Sequence, residues 1–430
     1  MSHQILSFGQ PQLKGTISVP GDKSISHRAV MFGSLAKGKT TITNFLAGED
    51  CLSTIAAFQA MGVAIEREED RVVIESNGVE ELVEPIEPIN LGNSGTTARL
   101  LLGILAGLPY HFTLYGDGSL SKRPMDRIAN PLREMGAVID GRDNGRLLPM
   151  SVRGGKLKSI DFKPPVKSAQ IKSGVLLAGL LAEGETTVQE KTKTRDHTEN
   201  MLKAFGADIK VDGTTVRIKG KTPLHSCDIE VPGDISSAAF FLVAAAIIPG
   251  SEVMIENVGL NPTRTGIIDV LQMMGAAIEV TETKVIGGEL IGNIRVTASE
   301  LRPATIEGEI IPRIIDEIPI IALLATQAEG ETVIKDAEEL RFKETDRIES
   351  VVTTLTKLGA RITGTEDGMI VHGKTALHGG VTDSFGDHRI GMMIAIASLL
   401  IDEKIELHDA ACIAVSYPNF FEHLHTLITR

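Results

Sequence analysis

The strongest constraint on this chain is a repeat. An apolar helical stretch, a Gly or acidic turn and a short β-rich strand recur six times along it. The copies read SLAKGKTTITN from Ser34, ILAGLPYHFTL from Ile104 and LLAEGETTVQE from Leu180. They continue as AAAIIPGSEVMIE from Ala244, LLATQAEGETVIK from Leu323 and ASLLIDEKIEL from Ala397. The spacing is about 70 residues, so one supersecondary unit has been copied to fill the chain. A downstream echo accompanies five copies: MGVAIE at Met61, MGAVID at Met135, FGADIK at Phe205, MGAAIE at Met274 and LGARIT at Leu358. It marks a second helix that ends at a Gly cap and runs into a strand.

The copies predict the architecture. The last unit ends in NFFEHLHTLITR, a helix with no strand after it, whereas the segment Gln12 to Val19 is a surplus strand ahead of the first unit. The simplest closure has this N-terminal strand complete the sixth unit. The tetrapeptide Val19-Pro20-Gly21-Asp22 opens the first unit and Val231-Pro232-Gly233-Asp234 opens the fourth. Pro fixes φ and lacks a ladder donor, and Gly permits unusual dihedrals, so each VPGD is expected to break a strand and redirect the chain. The expected fold class is α/β, with two pseudo-equivalent domains of roughly 200 residues and three units each. Their expected bounds are 20–231 and 1–19 plus 232–430, with hinges near Val19-Pro20 and Val231-Pro232. A single closed solenoid is the competing layout; the VPGD pair, which splits the units three and three, favours two domains.

Composition narrows the function. The chain is 42% hydrophobic and 23% charged, enough for a large core. Trp is absent and Tyr scarce, so stacking platforms for single-stranded nucleic acid find no support. A formal net charge of −13 argues against a broad phosphate-backbone binder, yet allows small anions where positive charge is gathered locally. Cys51, Cys227 and Cys412 are far apart with no CxxC spacing and read as reduced thiols of a cytoplasmic protein. The start MSHQILSFGQPQLKG lacks the basic stretch and apolar run of a signal peptide. The apolar stretches around 238–249 and 390–401 are too short to span a bilayer and fall at repeat positions, so they read as core helices.

Function is sought where the copies differ. After its VPGD the fourth unit continues Ile235-Ser236-Ser237-Ala238-Ala239-Phe240, a small-residue helix start, whereas the first continues Lys23-Ser24-Ile25-Ser26-His27-Arg28. Cations at a helix N-terminus oppose the macrodipole unless an anion sits there. The second unit's helix follows Gly92-Asn93-Ser94-Gly95-Thr96-Thr97 and carries Arg99; small residues also cap helices, so this signal alone is weak. The third opens Lys167-Ser168-Ala169-Gln170-Ile171-Lys172, the fifth Ile315-Asp316-Glu317-Ile318-Pro319 and the sixth Gly386-Asp387-His388-Arg389. Equivalent helix starts should gather, with Lys and Arg mainly from units one to three and Asp316 from unit five. The expectation is a site for an anionic ligand, at a cleft between the domains, with a carboxylate facing it. Two further segments break the repeat: the loop Gly116–Met125, which carries Lys122 and Arg123, and Arg341-Phe342-Lys343-Glu344-Thr345-Asp346-Arg347. If the latter is helical, Lys343 and Arg347 share a face at i,i+4 with Glu344 beside them.

These residues carry a resemblance. The combination VPGDKSISHR, LGNSGTTAR, the loop ending SKRPM, RFKETDR and GDHR resembles the 5-enolpyruvylshikimate-3-phosphate synthase family over essentially the whole chain. The resemblance implies two domains of three βαβαββ units closing around their substrates. It implies transfer of the enolpyruvyl group of phosphoenolpyruvate to the 5-hydroxyl of shikimate 3-phosphate with release of phosphate, in the shikimate pathway, without metal or organic cofactor. By the same resemblance, Lys23, Ser24, Arg28, Ser168, Ala169, Gln170, Arg195, Asp316 and Lys343 would hold shikimate 3-phosphate. Lys23, Gly95, Arg123, Gln170, Arg347 and Arg389 would hold phosphoenolpyruvate. Asp316, Glu344 and Lys23 would handle protons in an addition followed by an elimination. A monomer is expected, with no nucleic-acid or membrane partner.

The chain departs from the family pattern in two places. Many members carry a Lys shortly before the aromatic-Pro pair, where this chain has Val415 ahead of Tyr417-Pro418. Some have Ser at the position of Ala169, so only a backbone contact is expected there. The related transferase that acts on UDP-N-acetylglucosamine commonly places a reactive Cys in the loop matching Gly116–Met125, which here has none. A phosphate-binding module without chemistry is the remaining rival, and it has no use for Asp316 and Glu344. Gly95 is the small residue associated with sensitivity to the phosphonate glyphosate, so inhibition is expected. Closure on shikimate 3-phosphate is expected as well.

Overall fold

The computed structural model describes residues 3–286 and 288–429, so the expected domain ends at 1 and 430 lie outside the described residues. The chain divides into two compact units, one of residues 21–231 and one of 1–20 with 232–430; each has its own apolar core.

Among the described residues the sixth repeat's sheet has three strands; each of the other five repeats is built of strand, helix, strand, helix, strand and strand. In the second repeat these are Ile89–Asn90, Gly95–Ala106, His111–Tyr115, Asp126–Glu134, Val138–Gly141 and Met150–Arg153. The short first strand pairs parallel with the second, and the last two add antiparallel. The third and fifth repeats use the same order. A parallel partner needs a crossover, and in the second, third, fifth and sixth repeats the first helix supplies it.

The first helices of the six repeats are α1 Lys23–Leu35, α2 Gly95–Ala106, α3 Ala169–Leu181, α4 Ile235–Ile247, α5 Ile318–Thr326 and α6 His388–Ala397. Beyond their polar first turns they are core: every residue of α4, α5 and α6 is buried. Helices α2 and α3 touch backbone to backbone. A Cβ on Gly103 would lie 2.0 Å from the Gly174 carbonyl oxygen, so only glycine fits. Among the described residues no helix is long and apolar enough to cross a membrane.

The second helices end as the echo requires. Gly62, Gly136, Gly206, Gly275 and Gly359 all have φ between 88° and 111°. That left-handed position closes a helix and is strained for any residue with a Cβ.

The surplus strand does not go where the sequence suggests. Gln12–Ser18 pairs parallel with Glu252–Gly259 of the fourth repeat rather than completing the sixth. His3–Leu6 instead joins the sixth repeat's sheet, antiparallel to Ile405–His408. Ile229–Glu230 is the parallel first strand of the first repeat, beside Lys37–Thr43. The strand before each VPGD therefore belongs with the strand after the other. The reason is modular: every repeat needs a parallel first strand, and the first and fourth obtain theirs from just ahead of the other VPGD. The terminal helix is also followed by a strand, Ile428–Thr429, paired with Gln12 and Leu13.

The VPGD glycines act through space rather than φ; neither has a positive φ. A Cβ on Gly21 would sit 1.9 Å from the Asn44 carbonyl oxygen. The aspartates are N-caps: Asp22 accepts from the Ile25 amide at 2.9 Å and Asp234 from the Ser236 amide at 2.8 Å. The three cysteines are free, and burial pushes the Cys227 thiol up to about 11 and the Cys412 thiol up to about 12. Neither is a ready nucleophile near neutral pH.

Candidate active site

In the unit of residues 21–231, polar side chains tie the N-termini of α1, α2 and α3 into a ring. From α1 to α3, the Arg28 guanidinium donates to Ser173 Oγ at 2.9 Å, to Thr198 Oγ1 at 2.7 Å and to the Ser24 carbonyl at 2.9 Å. From α2 to α3, Arg99 donates to Gln170 Oε1 at 2.8 Å, and Gln170 Nε2 donates to Thr96 Oγ1 at 3.0 Å. From α1 to α2 runs a buried relay: His27 Nδ1 to Thr54 Oγ1, Thr54 to Thr97 and Thr97 to Ser94, each step 2.7 Å.

The expected cations of this unit fall on that ring. Lys23 is ion-paired with Asp50 of the helix Glu49–Ala60. Arg123 is 6% exposed and reaches back from the Gly116–Met125 loop to Asn93 Oδ1 at 2.7 Å. Gly95, the first residue of α2, lies under two guanidinium groups. A Cβ there would be 2.8 Å from Arg99 Nη1 and 3.0 Å from Arg123 Nη1. Ser168 and Ala169 form the N-cap and first residue of α3, next to Gln170. Arg195 is half-buried just ahead of the helix His197–Ala204.

His27 supplies a pH test of this packing. Burial, then the charges of Lys23 and Arg28, hold its imidazole well below the ordinary value of 6.5. The unfolded chain therefore binds this proton more readily than the native one. The stabilisation from a neutral His27 is complete above about pH 6.5 and is lost as pH falls below that toward the lowered native value, at up to about 1.4 kcal/mol per pH unit. Urea melts between pH 7.5 and 5 should show native protein losing stability more steeply than a His27→Gln variant. Parallel losses would mean that His27 is not held neutral.

The other unit builds a second ring on α4, α5 and α6. Its centre is Arg347, 1% exposed. This guanidinium donates to Asp387 Oδ2 at 2.8 Å, Asp316 Oδ1 at 3.1 Å and Glu344 Oε2 at 2.7 Å. Burial works against its charge, but Asp387, Glu344 and Asp316 outweigh that and push its pKa higher still. Lys343 donates to the same Asp316 oxygen at 3.1 Å. Arg389 donates to the Ser236 carbonyl at 3.0 Å and stands over the Phe240 ring, while Ser236 Oγ donates to Glu317. The three helix starts are thus joined: α5 to α6 through Asp316, Arg347 and Asp387, α4 to α6 through Arg389, and α4 to α5 through Glu317.

One expectation about this segment is corrected. Lys343 and Arg347 do not share a helix face. The 3₁₀ turn Glu338–Phe342 ends at Lys343, whose backbone is extended, and the helix Arg347–Lys357 starts only after Asp346 caps it. The two cations meet because a loop folds both onto Asp316. Three partners also escaped the sequence reading: Asp50, which holds Lys23, and Ser173 with Thr198, which hold Arg28. Asp50 had a signal, since a lysine at a helix start calls for an acid and GED follows the first repeat strand.

The comparisons agree with one another. A family model described as EPSP synthase (3-phosphoshikimate 1-carboxyvinyltransferase) matches residues 9–424. The chain is 59% identical to the 3-phosphoshikimate 1-carboxyvinyltransferase of Bacillus licheniformis, over 97% of this chain and 98% of that one. It is 60% identical to the same enzyme of Bacillus velezensis, again over 97% and 98%. Among solved structures it is similar to EPSP synthase from Acinetobacter baumannii, with a TM-score of 0.88 and 45% identity over 99% of this chain and 98% of that one. The enolpyruvyl transferase NikO from Streptomyces tendae shares the fold, with a TM-score of 0.77 at 18% identity over 99% of this chain and 97% of that one.

Proposed function

We infer the roles of the two rings from one premise: the chain belongs to the EPSP synthase family, whose activity is 3-phosphoshikimate 1-carboxyvinyl transfer. It is an enolpyruvyl transferase of the shikimate pathway. What supports assigning the chemistry to these residues is the ring in each unit. Three buried helix starts gather charged groups that a purely structural core would not need.

The first ring binds mostly by cations. Ser24, Arg28, Ser168, Gln170 and Arg195, with the backbone at Ala169, hold shikimate 3-phosphate, joined by Asp316 and Lys343. Lys23, Gly95, Arg123, Gln170, Arg347 and Arg389 hold phosphoenolpyruvate. Guanidinium forks suit phosphate and carboxylate because they grip two oxygens at once. We propose hinges at Val19-Pro20 and Val231-Pro232, where the chain passes from one unit to the other, in a monomeric cytoplasmic enzyme that needs no metal or organic cofactor.

The proton work falls to the second ring and Lys23. The 5-hydroxyl oxygen adds to C2 of phosphoenolpyruvate while Asp316, oriented by Lys343 and Arg347, takes the hydroxyl proton. The methylene carbon gains a proton and becomes a methyl group. The methyl then loses one proton as phosphate leaves, restoring the double bond. Glu344, hydrogen-bonded to Arg347, and Lys23, held by Asp50, are the groups placed to give and take that proton.

Phosphate release with each substrate omitted in turn tests the reading. Release should need both phosphoenolpyruvate and shikimate 3-phosphate. Release with UDP-N-acetylglucosamine as sole acceptor, or with no acceptor, would overturn it.

Gly95 gives a second test. Glyphosate competes with phosphoenolpyruvate in this family and is the longer molecule, so space at Gly95 decides more for it. An added methyl must displace the Arg99 and Arg123 tips. Overpacking a tight site costs roughly 1–3 kcal/mol, about five- to 150-fold. Gly95→Ala should therefore raise the inhibitor constant more than the KM for phosphoenolpyruvate. Superimposed inhibition curves, at matched ratios of phosphoenolpyruvate to KM, would remove Gly95 from the ligand's border.

A further inference from the structure

The third repeat carries a buried charge cluster that the reaction does not use. Lys172, on the first turn of α3, is wholly buried. Its ammonium sits 2.9 Å from Glu190 Oε2 and 2.7 Å from Glu199 Oε1, and it donates to the Thr194 carbonyl at 3.4 Å. Glu190 and Glu199 are themselves 7% and 3% exposed. Glu190 also accepts from the Thr194 hydroxyl. One ammonium thus clamps both ends of the segment 190–199, which contains Arg195.

Desolvating three charged groups is expensive, and an apolar trio of similar volume packs at least as well. Stability alone does not account for the cluster. Its neighbours in sequence do. Lys172 precedes Ser173, and Glu199 follows Thr198. Ser173 and Thr198 bond to each other at 2.7 Å and are the two side-chain hydroxyls that receive the Arg28 guanidinium. Each adjacent pair has one member in the ion cluster and one on Arg28. We propose that Lys172, Glu190 and Glu199 form a buried pin that positions Arg28 and Arg195 for shikimate 3-phosphate. Lys172 is then a positioning residue for the acceptor substrate. The pin rests on the assignment of Arg28 and Arg195 to that substrate.

The test uses the full-length chain and titration calorimetry with shikimate 3-phosphate. Removing one group from a buried, coupled network shifts a neighbouring interaction by about two- to 150-fold. Lys172→Met should weaken binding about tenfold. It should raise the KM for shikimate 3-phosphate while leaving the KM for phosphoenolpyruvate nearly unchanged, a split that general loosening of the fold does not produce. Because Lys172→Met leaves buried carboxylates unpaired, Glu199→Gln serves as the milder variant. It keeps the Lys172–Glu190 contact and should show the same split at a smaller amplitude. In an Arg28→Ala background, Glu199→Gln should cost less than it does alone, since the part of its effect that runs through Arg28 is already lost and only the part through Arg195 is left. Wild-type affinity in folded Glu199→Gln and Lys172→Met, with Arg28→Ala still weakened, would overturn the pin alone. Unchanged affinity in Arg28→Ala would instead overturn the assignment on which it stands.

Discussion

Asp316→Asn and Glu344→Gln are each expected to lower turnover by about 10²–10⁴, the range typical of a positioned acid or base. Both substitutions keep size and shape and remove the proton acceptor. In Asp316→Asn the side-chain amide still offers an oxygen to Lys343 and Arg347, so the loop that gathers these groups should hold. Shikimate 3-phosphate binding should persist in both, whereas Arg28→Ala should weaken it directly. Steady-state rates beside calorimetric affinities separate the two effects. Near-normal turnover in both carboxylate variants would mean that the roles are misassigned.

The second large effect concerns stability. The Arg347 guanidinium bonds Asp316, Glu344 and Asp387, and Asp387 is completely buried. Replacing Arg347 with Met takes that guanidinium from the buried Asp387, while Asp316 keeps its bond from Lys343. Breaking a buried ion pair by removing one partner costs roughly 3–5 kcal/mol. Arg341→Met is the control, because Arg341 pairs with Asp346 where both side chains are about a third exposed. An exposed pair contributes about 1 kcal/mol or less. Urea melts should separate the two variants clearly. Equal midpoints would mean that the Arg347 network does not hold this unit together.

Much of this was legible in the sequence, for physical reasons. A repeated supersecondary unit leaves a repeated apolar pattern, and glycines that must take positive φ leave a repeated letter, as at Gly62 and Gly275. The cations at Lys23 and Arg28 stood out because the helix start after the other VPGD, Ile235-Ser236-Ser237-Ala238-Ala239-Phe240, lacks them. What stayed hidden depends on pairing across long separations. The destination of Gln12–Ser18 could not be read, since a strand's own residues do not name its neighbour. Gly21 looked like a dihedral requirement and proved to be a close approach to Asn44. Lys343 and Arg347 fit a helical spacing, but the capping aspartate, Asp346, starts the helix after Lys343. Ser173 and Thr198 lie on other elements than the arginine they hold, so no local pattern announced them.

We propose that Asp316 and Glu344, oriented by the buried Arg347, handle the protons of an addition followed by an elimination. Solvent-deuterium incorporation into the vinyl methylene of the product reads that step directly. In heavy water the native enzyme should give product carrying deuterium at that carbon, because the methylene becomes a methyl with one solvent hydrogen before one is lost. Glu344→Gln should form labelled product far more slowly. Unlabelled product from the native enzyme, or labelling by Glu344→Gln at the native rate, would contradict the account.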